Sequence, residues 1–221
     1  MTSKFVSKLR WVALSLVCSV ALVSCERLLT PDFNTEVSEL RGGAYVLDKS
    51  HAALMFKINH LGFSTFLGRF TNFDASLDFD PENIQNSQLE VIVDMKSLDV
   101  NLPEFGEELM GPSWLDAGQF PQAIFRTTSF IGQTENNFQF QGDLTFHGVT
   151  APVVLNVTFN GGGRNFLTRS YTLGFEASAQ FKRSDFGADR FTNFGIGGLG
   201  VDLPQAALDS MAKLQPLGRI I

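Results

Sequence analysis

Long stretches of this chain alternate apolar and polar residues with a period of two. Residues 138–159, FQFQGDLTFHGVTAPVVLNVTF, hold two such runs around a His-Gly-Val-Thr turn. Phe138, Phe140, Leu144 and Phe146 share one parity, and Gln139, Gln141, Asp143 and Thr145 the other. A strand sends those two sets to opposite faces, so one face of the hairpin is dry. The second run repeats this with Val153, Leu155, Val157 and Phe159, and Pro152 stands near its start, where a missing N–H is tolerated. The period recurs from Ala44 onward. Leu54, Phe56, Ile58 and His60 share a face, as do Leu89, Val91, Val93 and Met95, and Leu173, Phe175, Ala177, Ala179 and Phe181. In FLGRFTNFDASLDF, Phe66 and Phe70 are out of phase with Phe73, Ala75, Leu77 and Phe79, which implies a bend near Thr71 and Asn72. QAIFRTTSFIG supplies a further strand. Short alternating runs separated by turn clusters predict an all-β antiparallel barrel or sandwich and not βαβ units.

Two segments break the pattern. Residues 103–118, PEFGEELMGPSWLDAG, carry Phe105, Leu109 and Trp114 at helical spacing, interrupted by Gly111 and Pro112. This predicts a broken helix across one end of the sheet, as a lid or plug. Near the C-terminus, PQAALDSMAKL reads as a helix starting at Pro204. Either a short strand over residues 198–203 closes the barrel, or that helix covers the edge.

The N-terminus changes the picture from a simple barrel to an exported one. Lys4, Lys8 and Arg10 precede the apolar run WVALSLVCSVALV, which is too short for a comfortable transmembrane span. The run ends in Leu22, Val23, Ser24 and Cys25, which resembles the bacterial lipoprotein signal, where a small residue precedes a lipidated cysteine. The expected organisation is a signal peptide over residues 1–24, a tether over 25–43 and one domain over 44–221. Removing the signal leaves 14 Lys and Arg against 23 Asp and Glu, and Cys25 as the sole cysteine. No intrachain disulfide is then possible, and the acidic balance argues against nucleic acid. The 22 Phe against 2 Tyr and 2 Trp give an aromatic surface with few polar groups needing partners, suited to an apolar cavity or to an ordinary β core.

Candidate chemistry is sparse. His51 and His60 are nine residues apart on one expected strand, about 30 Å, and cannot share a metal. His60 follows an apolar face, where it could meet a ligand head group at a barrel mouth or be bonded to a neighbouring strand end. His147 is a turn residue. Residues 195–200, GIGGLG, spell a dinucleotide fingerprint without the strand-to-helix context, and Asp185-Phe186-Gly187 a kinase triplet without its partners. Glu104, Glu107, Glu108 and Asp116 form a solvated acidic face. No catalytic residue, metal site or cofactor is expected.

Six short motifs occur in order: Tyr45-Val46-Leu47-Asp48 with His51; His60-Leu61-Gly62; Gly68-Arg69-Phe70; Phe120-Pro121 leading to Phe125; Gly142-Asp143-Leu144 with His147-Gly148-Val149-Thr150 and Pro152; and Arg183-Ser184-Asp185-Phe186-Gly187. Together they resemble the YceI family across nearly the whole domain. The resemblance implies an extended eight-stranded, lipocalin-like antiparallel barrel with a short helix over one end and a long apolar tunnel that takes an isoprenoid chain. Ala52 replaces the serine that often follows the first family histidine, and PEFGEELMGPSW replaces a histidine-containing segment, which implies a different head group. The family usually ends on a strand.

The expected function is therefore that of a non-enzymatic binding or carrier protein for a long isoprenoid or other apolar lipid. It would sit in a bacterial cell envelope, facing the periplasm and anchored to the inner or outer membrane through lipidated Cys25. The expected wall is Leu54, Phe56, Ile58, Phe138, Phe140, Leu144, Phe146, Leu173, Phe175, Ala177 and Ala179, with His60 at the mouth. Ala177 and Ala179 leave volume between phenylalanines unless a large residue on a facing strand fills it. The alternatives are a solid barrel serving as a structural or interaction module, and an enzyme acting on bound lipid with His60 as base.

Overall fold

The alternating runs form strands because only a sheet sends every second side chain to one common core. The computed structural model describes residues 32–60, 63–165, 169–188, 195–196, 199–200 and 206–216. The signal peptide and Cys25 lie outside them. In chain order the strands are β1 (Asp32–Asn34), β2 (Gly43–Leu47), β3 (Ala53–His60), β4 (Ser64–Phe70), β5 (Phe73–Phe79), β6 (Gln88–Asp94) and β7 (Leu98–Asp99). After the helix α1 (Pro103–Met110) come β8 (Gln122–Thr134), β9 (Asn137–Phe146), β10 (Val149–Arg164), β11 (Tyr171–Phe181), β12 (Gly195–Ile196), β13 (Leu199–Gly200) and β14 (Ala206–Pro216).

Among the described residues the antiparallel pairings return on themselves through β10, β9, β8, β6, β5, β2, β14 and β11, a ring of eight strands. β3 continues β2 along β14, and β4 and β7 extend the sheet beyond it. The bend expected near Thr71 and Asn72 separates β4 from β5, and Thr71 N–H donates to Ser97 O there at 3.0 Å. His147 and Gly148 have φ of 49° and 78°, the two left-handed positions that a tight two-residue hairpin turn requires between β9 and β10. At Gly142 a Cβ would lie 2.3 Å from the Phe125 ring and 2.5 Å from Arg126 O, so the β8–β9 ladder closes over a glycine.

The C-terminal segment corrects the sequence reading. Residues 206–216 are not a helix but β14, hydrogen-bonded to β11 on one side and to β2 and β3 on the other. Both flanking strands would otherwise present open N–H and C=O groups, and satisfying two edges outweighs the helix preference of Ala, Leu, Met and Lys. Gly195–Ile196 and Leu199–Gly200 pair as the two-residue strands β12 and β13. Before Ala44, β1 pairs with β10, and Leu40 is buried in the core.

Two apolar cores fill the interior. At one end Phe56, Val93, Met95, Phe125, Leu144, Phe146 and Phe186 pack together, and Phe105, Leu109 and Met110 of α1 press onto them. The helix stops at Gly111 before Pro112, as its sequence requires, and acts as a plug. At the other end Tyr45, Leu77, Phe79, Phe138, Phe159 and Leu173 form the second core.

Tyr45 gives that second core a titratable group. It is 1% exposed, and its phenol donates to Arg41 O. Burial, then the neighbouring Tyr171, pushes its pKa up to about 12 against the pull of Arg41. The neutral phenol is thus favoured by the fold. Its contribution to stability is complete below pH 10 and is lost as pH rises toward about 12. Tyr45→Phe is expected to lack this alkaline step, so its stability difference from the wild type should shrink across that window in denaturant titrations. A constant difference would contradict the assignment.

Candidate functional site

The site is a cavity in the second half of the barrel. β5 supplies one side of it with Phe73, Ala75, Leu77 and Phe79, the inward parity of that strand. Leu47, Leu54, Leu89 and Val91 come from β2, β3 and β6, and Phe138, Phe140, Leu155, Val157, Phe175 and Ala177 from β9, β10 and β11. The free volume is about 100 Å³. Phe73 and Phe79 are six residues apart on one strand, so the lining runs for about 20 Å along the barrel. A small volume over that length is a narrow slot, which suits a thin flexible chain better than a bulky ring. Edge-to-face contacts fix the aromatic walls: Phe79 to Phe175 at 6.2 Å and Phe130 to Phe140 at 5.3 Å between ring centroids.

Among the described residues the polar members of the lining are Ser87 and Thr127. Ser87 Oγ accepts Asp80 N–H at 2.9 Å, and Thr127 Oγ1 accepts Leu89 N–H at 2.9 Å. Each hydroxyl satisfies a backbone N–H that burial would otherwise leave unpaired, and the Thr127 hydroxyl also donates to Leu89 O at 3.5 Å. The described lining is therefore mainly apolar.

The expected wall divides in the structure. Leu54, Phe138, Phe140, Phe175 and Ala177 border the cavity. Phe56, Leu144, Phe146 and Ala179 are buried in the helix-end core, with Ile58 packed against it, and Leu173 is fully buried in the second core. His60 ends β3, and its side chain lies outside the described residues. The lining from β5 and β6 was visible as inward parity. Thr127 continues the inward parity of Ala123 and Phe125 on β8 but is polar, and Ile84 and Ser87 lie in the loop before β6, outside any strand.

Among the described residues the remaining titratable groups do not assemble a reactive centre. His51 lies in a turn before β3 and not on the strand. Its Nδ1 meets both Asp48 Oδ2, at 2.8 Å, and Ser50 Oγ, at 3.1 Å. A nucleophilic triad needs those two partners on opposite ring nitrogens. The Ser50 hydroxyl, helped by His51, holds the Asp48 carboxyl below the usual carboxylate range. His147 Nδ1 faces Phe186 O at 3.3 Å, and its ring stacks near Phe120, as a turn residue would. Arg69 with Asp99 and Lys49 with Asp74 are exposed pairs on the outer face and contribute little.

The profile of the YceI-like domain matches residues 45–207. The chain belongs to the YceI family. Among YceI relatives, a UPF0312 protein of Vibrio cholerae is 37% identical over 145 residues, 65% of this chain and 76% of its own. A UPF0312 protein of Yersinia pestis is 38% identical over 144 residues, 64% and 74% of the two chains. The barrel superposes on the crystal structure of Burkholderia cenocepacia BcnA with a TM-score of 0.63 at 20% identity, covering 77% of this chain and 99% of that one. A polyisoprenoid binding domain from Saccharophagus degradans gives a TM-score of 0.51 at 11% identity, covering 80% and 100%. At such identities the two structures share the fold, and the shared fold is the YceI barrel.

Proposed function

We propose that this YceI protein binds and carries a long apolar lipid, isoprenoid in class, with the chain in the slot and the head group outside it. The observation that carries the reading is the cavity lining, apolar among the described residues apart from Ser87 and Thr127, whose hydroxyls each accept a backbone N–H. Each buried methylene contributes about 0.8 kcal/mol, so a chain can be held without a polar contact, and affinity depends weakly on the head group. The polyisoprenoid binding domain with the same fold supports this ligand class. The role is binding and not catalysis. The charged N-terminus, apolar run and Cys25 support export and a lipid anchor on the periplasmic side of the inner or outer membrane.

Native mass spectrometry of the exported full chain, followed by organic extraction, tests both parts. One defined lipid mass at near-unit occupancy and a diacylglyceryl group on an N-terminal Cys25 are expected. The second reading, a barrel used as an interaction module, is favoured by the solid helix-end core. It predicts a mass without adduct and no uptake of added polyprenols or quinones.

A further inference from the structure

Among the described residues, every member of the cavity lining except Ile84 and Ser87 belongs to a strand. Those two come from the 80–87 loop between β5 and β6. At the opposite end the route is blocked, because Val93, Met95, Phe125 and Phe146 are buried under α1. Toward β1 it is sealed by Tyr45, Phe159 and Leu173, none more than 2% exposed. Ile84, in contrast, is half-buried at the end of the slot.

The loop is built to move as one piece. Asp80 Oδ1 accepts Glu82 N–H at 3.1 Å and Asn83 N–H at 2.9 Å, and its Oδ2 accepts the Asn86 amide at 3.4 Å. Asn86 N–H donates to Asn83 O and Ser87 N–H to Ile84 O, at 2.8 and 3.1 Å. Asp80 N–H donates to Ser87 Oγ and so joins the two ends. Each of these bonds closes within the loop, so swinging it outward breaks no rung between β5, which ends at Phe79, and β6, which starts at Gln88. Opening costs the burial of Ile84 and Ser87 and the contact of Pro81 with Gly42, a local event short of global unfolding. The Asn83 N–H, with the Asn86 amide and Glu82 N–H, keeps the Asp80 carboxyl below the usual range, so the knot persists into mild acid.

We propose that ligands pass in and out of the cavity at the 80–87 loop, with Ile84 as the side chain that shuts the mouth and Asp80 as the residue that positions it. The proposal rests on the reading of the cavity as the lipid site. It assigns the helix α1 to structure and the loop to exchange.

The test is stopped-flow release of trans-parinaric acid methyl ester, an uncharged linear polyene whose fluorescence reports binding, from the full chain into excess unlabelled polyprenol. Ile84→Ala and Asp80→Ala are each expected to release the probe several-fold faster than wild type. Val100→Ala, which loosens the helix-end core where Val100 is 6% exposed, is expected to release it at the wild-type rate. Faster release from Val100→Ala with unchanged release from both loop variants would overturn the portal and move it to the helix end. Wild-type protein that binds the probe without saturation would overturn the cavity reading and the portal with it.

Discussion

Replacing Ala177 by Phe is expected to weaken binding of a long-chain lipid by about thirtyfold while the barrel stays folded. Ala177 borders the cavity on β11 and pairs with Val157, another lining residue, on β10. A phenyl ring there occupies space that the chain would otherwise use. Displacing two or three methylenes at about 0.8 kcal/mol each removes about 2 kcal/mol of binding. The apo protein gains contacts across an empty apolar space, so its thermal midpoint should hold or rise. Lipid titration beside a thermal melt checks both halves. Unchanged lipid affinity in a folded variant would place the lipid elsewhere.

Phe138→Ala should have the largest effect on stability, about 3–5 kcal/mol. Phe138 is 2% exposed, lies opposite Val157 in the β9–β10 ladder, and forms part of both the second core and the cavity wall. Such a loss is a large share of the 5–15 kcal/mol typical of a domain. Urea denaturation should show a lower midpoint with an unchanged slope. Because the variant enlarges the slot, saturating lipid should raise its midpoint more than it raises that of the wild type. A loss below about 1 kcal/mol would mean that the ring has room to be replaced by its neighbours.

The separation of the two cores explains why the site was only half legible. Phe138 and Phe146 have the same parity on β9, yet one borders the cavity and the other is stacked against Phe181 and Phe186 at ring distances of 5.9 and 5.7 Å. Alternation fixes which face a residue occupies but not its depth along the barrel. Depth depends on what meets it from the other strands. Leu173 and Ala177 show the same thing on β11: one is sealed by Leu40 and Tyr45, the other opens on the slot. Ala177 and Ala179 were both candidates for leaving volume, and α1 and its core close the space at Ala179 alone.

The family motifs behaved differently. His147-Gly148 is a turn because both positions need positive φ, and Gly187 ends its short helix at φ 70° for the same reason. Gly68 and Gly142 lie under Phe56 and Phe125, where a Cβ would come within 2.3 Å of each ring. These are backbone demands that one residue type meets, so they can be read without coordinates.

The sequence by itself determined the all-β class, the dry face of each strand, the bend before β5, the helix that stops at Gly111 and the membership of the YceI family. The family was legible as a resemblance in six ordered motifs, and the rest follow from period, turn chemistry and local spacing. The tertiary structure alone decided that residues 206–216 form a strand, that one half of the barrel is solid and that the slot ends at Ile84. Those outcomes depend on which edges and surfaces are left unsatisfied once the other strands have paired, a condition set by the whole chain and not by any local stretch of it.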